Sequence, residues 1–137
     1  MAGGIVIAID PGREKCGIAV VDKQQGVLVR QVIIREFLPE TVQSWAAAYH
    51  TAFVILGNRT FSKETQKLLQ GMQTAAGPVT VTPVDEHRSS EEARRRYWQE
   101  NPPHGLWRLV PTSFRTPPVP IDDWVAVILA ERYFAGK

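Results

Sequence analysis

One cysteine in 137 residues leaves no partner for an internal disulfide and no set of thiols for a multi-Cys zinc site. That scarcity fits a reducing compartment. Net charge is nearly absent too: 16 Lys+Arg against 14 Asp+Glu give +2. A chain that coats nucleic acid through bulk positive charge is excluded, whereas a local basic face is not. No apolar run approaches the length needed to cross a bilayer. The opening MAGGIVIAIDPG has no basic start, and its apolar run stops at Asp10, so it does not read as a signal peptide. Together these absences make the cytoplasm the expected location and a membrane partner unexpected.

What is present suits a globular fold. Hydrophobic residues make up 44% and charged residues 22%. The length supports one domain over 1–137, large enough to bury a core without a metal or disulfide staple. Gly4 to Ile9 is apolar and β-branched, which predicts a buried strand that Pro11 and Gly12 stop. Gly17 to Val21 and Val27 to Ile34 predict a second and third strand across the turn Gln24-Gln25-Gly26, making an antiparallel meander. Pro39 and Glu40 suit a helix start, with Val42, Trp45, Ala46 and Tyr49 at helical spacing. Ala52 to Leu56 predicts a fourth strand. Ser62 is the expected cap of a helix running to about Thr74, and Val79 to Val84 predicts a fifth strand. Ser89 with Glu92 reads as a capping box for a helix to Glu100. Six of the ten prolines fall within 101–120, which predicts a long irregular loop. Asp122 to Phe134 predicts a last helix with an Ala126, Leu129, Tyr133 face. The expected class is α/β: a mixed five-stranded sheet, an antiparallel meander plus two parallel strands, with helices on both faces.

Three acids stand at element ends: Asp10 after the first strand, Glu86 (beside Asp85) after the fifth, and Asp122 (beside Asp123) at the last helix. Converging carboxylates repel one another and need a cation. Oxygen ligands without a Cys or His cluster suit Mg²⁺ or Mn²⁺, ions that hold a phosphate and activate water. Each acid also has a structural alternative. Asp10 before Pro-Gly fits a turn, although a turn does not require an acid at the end of an apolar strand. Asp85-Glu86 reads equally well as a solvated strand end. Asp122 alone reads as a helix N-cap, which is compatible with ligation.

The segment IAIDPGREKCGIAVVD resembles the opening hairpin of RNase H-like nucleases, and its DPG form resembles their Holliday-junction resolvase branch, the RuvC type. VILGN, VDEHRSSEEARRRY and IDDWVAVILAERYF then resemble, in order, segments of the YqgF family of Holliday-junction resolvase-like nucleases implicated in ribosomal RNA precursor maturation. The resemblance implies an RNase H-like fold. It implies a divalent-metal-dependent endonuclease whose catalytic and metal-binding acids are Asp10, Glu86 and Asp122, with Asp123 a candidate auxiliary ligand. Mg²⁺ or Mn²⁺ is the implied cofactor. A DNA junction or a precursor ribosomal RNA is the implied partner, bound by a monomer or a homodimer. The chain also departs from the family. His87 stands where the family has Arg, Gly57-Asn58 carries no fourth-strand acid, and the stretch 101–120 replaces a short link. At a strand end the side chains of His87 and Arg88 would point oppositely, so Arg88 is not expected to replace the family's Arg contact.

Arginine outnumbers lysine eleven to five, which suits bidentate phosphate contact. Arg13 and Lys15 in the first turn, Arg59 after the fourth strand and Arg88 after Glu86 are the candidate nucleic-acid contacts. Arg94, Arg95 and Arg96 read instead as a solvated face, with Glu91 and Glu92 pairing to Arg95 and Arg96. Trp107, Arg108, Phe114 and Arg115 interleave cations and rings as a strand-binding groove does. Trp45, Trp124 and Cys16 read as core. The alternative function is a non-catalytic RNase H-like domain that binds nucleic acid, a ribosomal particle or a protein. A sugar-kinase-like phosphotransferase needs two such domains, so the length sets it aside.

Overall fold

A computed structural model describes residues 4–59, 61–102, 109, 117, 119–136. The proline-rich stretch 101–120 therefore lies mostly outside the described residues, as do Trp107, Arg108, Phe114 and Arg115. Strands β1 (Ile5–Asp10), β2 (Lys15–Asp22) and β3 (Gly26–Ile34) form the meander. Helix α1 (Leu38–Tyr49) leads to β4 (Phe53–Gly57), and α2 (Ser62–Leu69) follows. A small hairpin of β5 (Gln73–Thr74) and β6 (Gly77–Pro78) precedes β7 (Thr80–Val84). Then come α3 (Ser89–Glu100) and α4 (Asp122–Phe134). The main sheet has the order β3-β2-β1-β4-β7. Pairs β1–β2 and β2–β3 are antiparallel, while β1–β4 and β4–β7 are parallel. This is the expected mixed sheet, with β1 central and helices on both faces.

Alternation along β1 divides the core. Val6 and Ala8 pack with Ala93 and Tyr97 of α3 and with α4. Ile7 and Ile9 pack with Leu38, Val42 and Ala46 of α1 and Leu69 of α2. Side chains alternate across a pleated strand, so one sequence supplies both layers. Asp10 continues the Val6, Ala8 register and leaves the sheet on the α4 side. Cys16 is fully buried in the α1 layer.

Small residues set how close α4 lies. Ala8, Ala19, Ala126 and Ala130 line its contact with the sheet, and all four are fully buried. Gly17 is the closest approach: a Cβ there would overlap the backbone carbonyl of Asp122. Burial on α4 exceeds the predicted single face, because Asp123 through Ala130 are all buried. The sheet and α3 enclose it from several sides, as an apolar helix requires.

Three local expectations differ. Helix α2 ends at Leu69 rather than near Thr74, and the β5–β6 hairpin takes over. Its N-cap is Phe61, with φ 61°, and Ser62 is the first helical residue. The Ser89–Glu92 capping box does not form: Arg88 is the N-cap, and Glu92 accepts from Arg132 at 2.8 Å. A tertiary arginine outcompetes a local cap here because a charge-assisted bond is the stronger one. Arg96 likewise pairs across to Glu131, twice at 2.8 Å, rather than along its own helix.

Candidate active site

Asp10 stands where β1 leaves the centre of the sheet. The turn after it is tight, since a Cβ at Gly12 would overlap the Lys15 carbonyl. Glu86 follows β7, two strands away in the order β1-β4-β7. Its carboxyl crosses the end of β4 and hydrogen-bonds Asp10. The crossing depends on Gly57. A Cβ there would lie 2.6 Å from Glu86 Oε2 and still closer to its carboxyl carbon. The backbone N–H of Arg59 donates to Glu86 Oε2 at 2.7 Å and fixes the carboxylate from the other side.

The Asp10 carboxyl is pushed toward its protonated form. Burial, the Glu86 hydrogen bond, and the charges of Glu86 and Asp122 push the Asp10 carboxyl from 3.8 up to about 8. Asp122 is also raised, first by burial and then by Asp123, while Lys15 pulls it down.

Asp10 and Glu86 border a cleft of about 570 Å³, lined also by Pro11, Arg59, His87, Arg88, Ser89, Ser90 and Glu91. A smaller cleft of about 280 Å³ adjoins it and shares His87 and Arg88. Both residues therefore face the same space, contrary to the strand-end expectation. The reason is local: β7 stops at Val84, and Arg88 takes the left-handed conformation, φ 57°. A non-glycine residue held there is strained, and such residues cluster at functional sites. Arg59 Nη2 lies 3.4 Å from His87 Nδ1.

The structure thus brings Asp10, Glu86, Arg59 and Arg88 together, with Asp122 close enough to act by charge and Lys15 beside Asp122. Arg13 is not among them. It lines a separate, mostly apolar cavity with Glu14, Ile34, Arg35, Glu36, Pro39 and Leu68. Asp123 is also turned elsewhere. Its carboxylate is buried and takes Arg30 Nη1 at 2.6 Å, and Arg30 stacks 4.0 Å over the Trp124 ring. Nor is Asp122 the N-cap of α4; Ile121 holds that position and Asp122 is the first helical residue.

Among the described residues no three His, Cys, Asp or Glu side chains are grouped tightly enough to hold a metal ion together. Asp10 and Glu86, two hard oxygen donors meeting over a glycine, suit a divalent cation by donor chemistry. Asp122 adds charge to that pair. Among the described residues no helix is long and apolar enough to cross a membrane.

Two outcomes follow from these contacts. Gly57→Ala is expected to displace Glu86 and lower divalent-ion affinity by about 10-fold, read by calorimetry. Asp123→Asn is expected to cost about 2 kcal/mol in urea unfolding, because Arg30 loses its buried partner, while leaving that affinity within about 2-fold.

The sequence reading missed Gly57 as a seat for Glu86 and noted there only a missing acid. A glycine closing a continuous apolar strand was the available signal.

No family model and no curated protein sequence matches the chain. Solved structures of Thermus thermophilus RuvC are similar in fold. One, T. thermophilus RuvC in complex with Holliday junction substrate, has a TM-score of 0.56 at 15% identity. The match covers 97% of this chain and 94% of that one. A second T. thermophilus RuvC structure has a TM-score of 0.56 at 14% identity and covers 96% and 95%. At such identity the likeness establishes the fold, an RNase H-like mixed α/β sheet.

Proposed function

We propose that the chain is a divalent-metal-dependent endonuclease that hydrolyses phosphodiester bonds in structured nucleic acid. The carrying observation is the meeting of the Asp10 and Glu86 carboxyls over Gly57 at a cleft bordered by Arg59, His87 and Arg88. Like charges forced together at a basic rim make a poor surface but a good cation site. In this reading Asp10 and Glu86 hold Mg²⁺ or Mn²⁺, Asp122 adds negative charge beside them, and Asp123 is held away by Arg30. When bound, such a cation supplies activated water and neutralises charge at the scissile phosphate.

The remaining roles belong to the chain's own groups. Asp10 releases its proton on loading, which turns the pair into a dianionic ligand. Arg59 and Arg88 hold the phosphates flanking the cut, as forked donors suit. Lys15 acts on Asp122 by charge and favours its ionised form, and Arg13 contacts nucleic acid only beyond the cleft. No covalent intermediate is involved.

Junction DNA is supported by the fold similarity to T. thermophilus RuvC in complex with Holliday junction substrate. Ribosomal RNA precursor, the substrate implied by the YqgF resemblance, is the competing one. The setting proposed is cytoplasmic, with the lone thiol buried. A second reading, a non-catalytic binding domain, draws on the absence of a closed three-acid group among the described residues.

The test is cleavage of a four-way DNA junction and of a precursor ribosomal RNA, with Mg²⁺ or Mn²⁺ and with chelator. Metal-dependent cleavage of either, lost in Asp10→Asn, supports the nuclease and selects its substrate. Binding that survives chelation without cleavage of either substrate supports the second reading.

A further inference from the structure

Arg132 lies in the last turn of α4, far along the helix from Asp122, and has no role in the proposed function. Its side chain is only 14% exposed. Nη1 donates to the backbone carbonyl of Asp85 at 2.9 Å, and Nη2 donates to Glu92 Oε1 at 2.8 Å. Asp85 immediately precedes Glu86, and Glu92 belongs to the first turn of α3. One guanidinium thus grips both ends of the turn that carries Glu86, His87 and Arg88.

That turn has few other anchors. Ser89 N–H donates to Glu86 O at 2.9 Å, and His87 N–H donates to Asp85 Oδ1 at 3.1 Å. Both bonds lie within the turn itself, so they shape it without locating it. From β4 and the loop after it come Asn58 N–H to Val84 O at 3.1 Å, Arg59 N–H to Glu86 Oε2 at 2.7 Å and the 3.4 Å contact of Arg59 Nη2 with His87 Nδ1, and from β1 comes the Asp10–Glu86 hydrogen bond; none of these holds the α3 end of the turn. The turn also stores the strained Arg88 conformation, which persists only when its surroundings enforce it. A planar fork bridging a main-chain carbonyl and a carboxylate is a rigid enforcer; a lysine reaches one of the two.

We infer that Arg132 is a positioning residue that holds the Glu86-bearing turn against Asp10. Helix α4 then serves the cleft at both ends, Asp122 at its start and Arg132 at its finish. The inference rests on the proposed nuclease reading, but its structural half stands apart from it.

The test compares Arg132→Met, Arg132→Lys and Val127→Ala, the last a fully buried core residue of α4 that takes no part in the Arg132 bonds and does not line the cleft. Amide exchange at His87 and Ser89 is read first, with no metal present. Arg132→Met is expected to speed exchange at both by at least about 10-fold beyond Val127→Ala, and Arg132→Lys by less. Mn²⁺ affinity by calorimetry is expected to fall about 10-fold in Arg132→Met and to recover partly in Arg132→Lys. In cleavage, kcat falls by a similar factor with KM within about 2-fold.

Exchange, affinity and kcat no different from Val127→Ala would overturn the inference, and Arg132→Lys gives the same decision if Arg132→Met does not fold. A parent protein that neither binds Mn²⁺ nor cleaves removes the nuclease reading, while the exchange data still decide whether Arg132 holds the turn.

Discussion

Asp10→Asn is expected to remove about 10³-fold of the cleavage rate and, at the same time, to stabilise the metal-free protein at alkaline pH. The two effects share one cause. In the folded chain Asp10 holds its proton up to about pH 8, because burial and the neighbouring acids disfavour its charge. In the unfolded chain the same group ionises near its ordinary 3.8. Across that window the folded state binds the extra proton, so stability falls as pH rises from about 4 to about 8. Below the window the group costs nothing. Above it the full difference applies, up to about 6 kcal/mol. Asparagine keeps a neutral, hydrogen-bonding side chain and escapes that cost.

Urea unfolding at pH 5, 7 and 9 with chelator measures it. The gap between variant and parent should widen through the window and level off beyond it. Equal pH slopes would contradict the proton held on Asp10. Adding Mg²⁺ should narrow the gap by stabilising the parent, since binding to the folded state alone raises its stability.

Gly17→Ala is the second large effect. One methyl group there meets the Asp122 backbone carbonyl head-on. Backbone cannot rotate away as a side chain does, so α4 must lift from β2 or β2 must bend. Forced expansion of a packed interface of this kind costs about 3 kcal/mol, or roughly a 10 °C fall in Tm at this chain length. Gly4→Ala, which meets nothing within 4 Å, should change Tm by little. An unchanged Tm in Gly17→Ala would mean that α4 does not sit on β2 as described. Because the displaced atom belongs to Asp122, the charge acting on Asp10 should weaken as well.

Asp10 was legible in the sequence because an acid closing a β-branched apolar run has no packing reason to be there. Position alone left Glu86 level with a solvated strand end, and only the family resemblance singled it out. The strands followed from alternation and from β-branched runs; their boundaries moved by two residues or fewer. The end of α2 was not legible, since the β5–β6 hairpin is held by contacts rather than by composition. The capping box failed at Glu92 for a related reason: Arg132, forty residues away, took the carboxylate. Asp122 and Asp123 are indistinguishable as sequence. Arg30, which lies 93 residues from Asp123 on another strand, separates them.

The sequence by itself determined the periodicities, and with them the α/β sheet, its two core layers and the acids at the ends of its elements. Those signals are local, because burial repeats every two residues in a strand and every three to four in a helix. Tertiary structure alone decided which acids meet. Asp10 reaches Glu86 only because Gly57 leaves room between them, and Asp122 stands near only because Gly17 lets α4 touch β2. Approach distances of this kind depend on atoms brought together from distant parts of the chain, and no local pattern records them.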